Sequence, residues 1–101
     1  MDMNKMMKEA RKMQAELARA QDEAAQMTAE GTAGGGVVSA VATGENVIES
    51  IKIDASVVDP DDVEMLEDLI TAAVNDALRS VQAQAAAKME AITGGLNIPG
   101  F

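Results

Sequence analysis

Lys5, Lys8, Arg11, Lys12 and Arg19 form the group in this sequence best suited to a definite chemistry, the neutralisation of phosphate. They are five of the eight basic residues in the chain and lie within its first nineteen positions, against Asp2, Glu9 and Glu16. Written in heptads, Lys5, Lys12 and Arg19 share one position, with Lys8 and Arg11 beside them on the same outward face. Several like charges along one exposed line can contact backbone phosphates, a task that tolerates variation in the side chain used. The same row also fits a solvated helix face with a few i,i+4 pairs to Glu9 and Glu16. Lys88, far along the chain, is a weaker phosphate candidate.

Other chemistries find less support. The sequence has no cysteine and no histidine, which removes disulfides, thiolate and imidazole metal ligands, cysteine nucleophiles and histidine proton transfer. Asp59, Asp61, Asp62, Glu64, Glu67 and Asp68 are crowded enough to raise a metal site, but they lack the glycine and ligand spacing of a calcium loop. A helix start explains them better. Gly34, Gly35 and Gly36 precede Val37–Val41, which reads as a strand, whereas a phosphate-cradling loop needs a helix there. The expectation is therefore a protein with no catalytic residues, no metal and no cofactor.

The basic row sits on a predicted helix. Met3, Met6, Ala10, Met13, Leu17, Ala20, Ala24 and Met27 alternate spacings of three and four, a heptad seam that asks for a second helix. Glu9, Glu16 and Glu23 flank it. Its methionines make the seam adaptable, and crowding at Met1, Met3, Met6, Met7 and Met13 also fits a surface that grips another protein. The natural partner is a second predicted helix from Asp59 to about Ile92, with Asp59 as cap, Pro60 in the first turn, a Val58–Val63 staple, and Gly94 and Gly95 at its end. Leu66, Leu69, Ile70, Ala73, Val74, Ala77, Leu78 and Val81 cover about half the circumference of its first half. Beyond Val81 only a narrow, alanine-rich seam continues. A helix of ~33 residues is ~50 Å long, too long for a compact domain of this size, so its second half should project as an arm.

Between the helices, Met27–Thr32, Val37–Thr43 and Val47–Asp54 read as strands, the last two joined through Gly44, Glu45 and Asn46. Ile51 and Ile53 share a face that the helices should cover. The expected organisation is one α+β domain over residues 1–101, with a helical arm over 1–27, a small antiparallel sheet over 28–55, a long helix over 59–93 and a tail over 94–101. Of its apolar residues 19 are alanine, so one copy has few large side chains to bury. That scarcity, together with open sheet edges, predicts a homodimer. No signal peptide or membrane span is expected, which predicts a cytoplasmic protein without a membrane partner.

These segments resemble the YbaB/EbfC family of bacterial nucleoid-associated proteins. The run Glu64–Met65–Leu66–Glu67–Asp68–Leu69–Ile70, followed by Ala72–Ala73–Val74–Asn75–Asp76–Ala77, is similar to the family's most characteristic stretch. Lys8, Ala10, Lys12, Met13 and Gln14 resemble its first helix, Gly34–Val38 its glycine-rich strand entry, and Gly94–Phe101 its tail. Glu9 and Arg11 stand where glutamines are common. The resemblance implies a tweezer-like homodimer whose helical arms contact DNA and alter its conformation, with roles in nucleoid organisation and gene regulation.

Formal net charge is −9, which as a whole repels nucleic acid, so contact is expected to be confined to the basic arm. Phe101 is the only aromatic residue, which leaves no stacking platform for single strands and points to duplex DNA held largely without sequence preference. Lys5, Lys8, Arg11 and Lys12 are the leading contacts, with Arg19 and Lys88 secondary. The alternative is an adaptor that binds proteins through its methionine-rich arms.

Overall fold

The chain folds in the order α1 (Met3–Gln26), β1 (Thr28–Ala33), β2 (Val38–Thr43), β3 (Ile48–Ile53), a single 3₁₀ turn (Ala55–Val57) and α2 (Val63–Gly95). The computed structural model describes residues 2–95, so the tail expected over 94–101 lies outside the described residues from residue 96 onward. Asp2 caps α1, its Oδ1 accepting from the Asn4 amide at 3.0 Å. The sheet is antiparallel in the order β1-β2-β3, with Thr28 opposite Thr43, Ala33 opposite Val38, and Val38 opposite Ile53. Gly34, Gly35 and Gly36 turn the chain between β1 and β2 with φ of 63°, 75° and 100°, a backbone course that disfavours any side chain.

The start of α2 corrects the expected cap. Asp59 and Pro60 open a turn, in which the Asp62 amide donates to the Asp59 carbonyl at 3.0 Å and the Asp61 amide to Asp59 Oδ1 at 2.9 Å. Aspartate first and proline second is the favoured chemistry of such a turn. The helix begins afterwards, at Val63, with Asp62 Oδ1 accepting from the Met65 amide at 3.2 Å. Val58 and Val63 are both exposed and do not form the expected staple.

α2 lies across β1 and β2. The core is Ala29, Val38, Ala40 and Ala42 from the sheet against Ala73, Ala77 and Val81 from the helix. Small residues on both sides let the two backbones approach closely, most of all at Gly31, where a Cβ would collide with the backbone of Ala73 and Ala77. Polar ties reinforce the contact. The Thr32 amide donates to Asp76 Oδ2 at 3.0 Å, and Gln82 Nε2 donates to Asn46 Oδ1 at 3.0 Å, fixing α2 to the edge strand and to the β2–β3 loop.

β3 lies beyond the helix. A bulge opposite Val41 and Ala42 skips Glu49, pairing Ala42 with Ile48, so Ile48 rather than a carboxylate joins Ile51 and Ile53 on the apolar face. The helices were expected to cover that face; instead Ile51 is 44% and Ile53 40% exposed, with Val58 at 55% beside them in sequence. Placing α2 over the alanine-rich strands leaves the isoleucine-rich strand open.

The arm forms as expected, as an antiparallel pair of α1 and the second half of α2. Ala20 and Ala24 of the seam are buried, and Ile92 faces Glu16, Arg19, Ala20 and Glu23 across a shallow groove. The molecule measures 74 × 24 × 15 Å, with a radius of gyration of 20.1 Å.

Candidate nucleic-acid interface

Among the described residues α1 outruns its partner. α2 is described as far as Gly95, one turn past Ile92, whereas α1 continues toward Met3, and every residue from Asp2 to Ala15 is exposed. Lys5, Lys8, Arg11 and Lys12 all lie on this stretch, and among the described residues none of them is held by a carboxylate at ion-pair distance. The i,i+4 pairs that a merely solvated face would show are not closed there. Helical geometry places the four cations on the side away from the seam, so their charge is free to meet an external anion.

The remaining basic candidates differ from these four. Arg19 is exposed but sits near Glu23. Lys88 Nζ lies 2.8 Å from Glu23 Oε2, and its side chain is only 33% exposed. That pair joins α2 to α1 in the arm, so Lys88 holds the arm together instead of presenting a free charge. The spacing of Lys88 within its own helix carries no sign of this, because the partner comes from a segment 65 positions earlier.

Glu23 shows the strength of the pairing. The hydrogen bond and the charge of Lys88 hold its carboxyl below the ordinary glutamate range, with a smaller pull from Arg19. A depressed folded-state pKa stabilises the arm fully above the unfolded value and loses that stabilisation as pH falls through the folded value. Melting curves should therefore show Glu23→Gln less stable than the wild type near neutrality and equal to it once both states of the wild-type glutamate are protonated. The difference is small because the pair is exposed to solvent. A constant gap across the acid range would contradict this assignment.

Acidic residues gather at the other end. Asp54 accepts from the Ser56 amide at 2.9 Å, which lowers its pKa, and Asp59 and Asp62 are used as turn and helix caps. Among the described residues, no group of three or more carboxylates is placed to hold a metal ion. With twelve acidic residues and three basic ones after position 26, the sheet and the long helix repel a polyanion while the tip of α1 attracts it. The charge distribution makes the tip of α1 the basic end of the molecule.

Known proteins are similar to this chain over nearly its whole length. The model of the YbaB/EbfC DNA-binding family matches residues 1–96. A nucleoid-associated protein of Desulforamulus reducens is 58% identical over 100 residues, covering 99% of this chain and 95% of its own. One from Thermoanaerobacter pseudethanolicus is 54% identical over 100 residues, covering 99% of this chain and 90% of its own. The crystal structure of the uncharacterized protein HP0035 from Helicobacter pylori superposes with a TM-score of 0.71 over 93% of this chain and 99% of that one, at 21% identity, and shares the fold. No helix among the described residues is long and apolar enough to cross a membrane.

Proposed function

Since the chain belongs to the YbaB/EbfC DNA-binding family, we propose that it is a nucleoid-associated protein that binds duplex DNA through backbone phosphates and alters its conformation, without catalysis. The observation that carries this reading is the row Lys5, Lys8, Arg11 and Lys12 on three exposed turns of helix, without an ion pair among the described residues. Phosphate contacts supply affinity without sequence information. The protein works in the cytoplasm on the nucleoid.

The active species is a homodimer with one arm from each copy. One copy exposes 7251 Å², whereas a compact monomer of 10.5 kDa is expected to expose about 5,400 Å². The largest fully buried side chains are only Val38 and Val81. A second copy seated on the strip of Ile51 and Ile53 supplies the missing core and covers the edge of β3.

A gel shift on duplex DNA across a salt series tests the proposal. Two arms making about six to eight phosphate contacts lose affinity by ~10³ or more between about 50 and 200 mM salt. Replacing Lys5, Lys8 and Lys12 with glutamine should weaken binding to every duplex and flatten the salt slope by about three quarters, because mainly Arg11 of each arm remains. Lys52→Gln, on the outer face of the sheet, should change little. Unchanged affinity and slope in the triple variant would overturn the assignment of the site and favour an adaptor that works through the methionines.

A further inference from the structure

The unpartnered half of the α1 seam has a role that phosphate binding does not explain. Ala20 and Ala24 are buried and Leu17 is half-buried, but Met3, Met6 and Met13 of the same heptad series are 74%, 52% and 39% exposed. They face away from the basic row. A helix of three turns with no neighbour among the described residues is below the length at which helices are stable alone, so an occupant here also stabilises the arm.

We propose that this seam pairs, in parallel, with the same seam of α1 from a second dimer. The 3.5-residue repeat specifies a helix as occupant, and the repeat is continuous with the stretch that already packs against α2. Charge selects the direction. An antiparallel pair would set the Glu9 row of one arm against the Glu9 row of the other, whereas a parallel pair sets Glu9 beside Gln14. Methionine and alanine make the contact adaptable and weak, so it becomes populated when DNA concentrates the arms. Because Lys5, Lys8, Arg11 and Lys12 lie opposite the seam, a parallel pair carries two basic faces pointing apart. It therefore bridges two duplex segments. The pairing stands on the seam alone, and its consequence of bridging rests on the DNA-binding reading above.

Two measurements test this. The chain has no cysteine, so Met6→Cys and, on the opposite face, Lys8→Cys each carry a single thiol. With diamide as oxidant and no DNA, at high protein concentration, Met6→Cys should form disulfides that link dimers into four-chain species, and Lys8→Cys should not. Equal yields from both positions, or disulfides confined within one dimer, would overturn the pairing. In the second measurement, immobilised duplex captures a labelled second duplex through the protein. Replacing Met3, Met6 and Met13 together with glutamine, a good helix former, should reduce capture about tenfold and leave the gel shift on a short duplex unchanged. Capture equal to wild type would overturn the proposal. A wild type that binds no duplex would refute the DNA reading, while the cysteine experiment still decides the pairing.

Discussion

Gly31→Val is expected to be among the most damaging single substitutions in the chain. A Cβ built on Gly31 falls 2.5 Å from the Ala73 carbonyl oxygen and closer still to the Ala77 amide nitrogen, and both are helix backbone that no rotamer change can move. Relief requires α2 to lift from β1, which opens the core at Ala73, Ala77 and Val81 and strains the Thr32–Asp76 hydrogen bond. Overpacking of this kind costs about 1–3 kcal/mol where side chains can shift, and more where backbone must. A thermal melt should show a loss of at least ~10 °C or no cooperative transition. Gly35→Val is the comparison, since a Cβ there meets nothing within 4 Å and adds only backbone strain at φ 75°. If Gly31→Val melts like the wild type, the close packing of α2 on β1 is wrong.

A double substitution, Ile51→Glu with Ile53→Glu, should separate association from folding. Both side chains are more than a third exposed in one copy and lie on a strand that α2 does not cover, so a lone chain accommodates the carboxylates. In the proposed dimer they are buried without a partner, which costs several kcal/mol. Light scattering should therefore give the mass of a single chain with helical circular dichroism retained in large part. The same variant should bind DNA with about half the salt slope, because one arm replaces two. A variant that stays dimeric would remove the isoleucine strip from the interface.

These expectations show where local chemistry speaks and where it does not. The seam of α1, the broad apolar half of α2 and the three strands follow from periodicity, and each occurs within one or two residues of its expected position except the start of α2. There two aspartates compete. Proline lacks an amide proton and suits either a first helical turn or the second position of a β-turn, so Asp59–Pro60 fits both, and only the path of the chain out of the sheet decides. Alternation in β3 correctly puts Ile51 and Ile53 on one face but says nothing of which strands the helix crosses. That information is present elsewhere, in Ala29, Gly31, Ala40 and Ala42, small residues that mark the track along which a helix can come closest. The ion pair of Lys88 is hidden from the sequence for a different reason. A cation on a polar row looks free until the neighbouring helix supplies its carboxylate.

The long arm also governs how the protein behaves in any experiment that infers size from motion. A compact chain of this length has a radius of gyration of ~13 Å, against the 20.1 Å found here. Friction rises with such elongation, so a single chain elutes early from a sizing column and sediments slowly for its mass. Calibration against round standards would report a dimer where there is a monomer, and a tetramer where there is a dimer. Stoichiometry for this molecule must therefore come from methods insensitive to shape, and the angular dependence of X-ray scattering would show the arm directly.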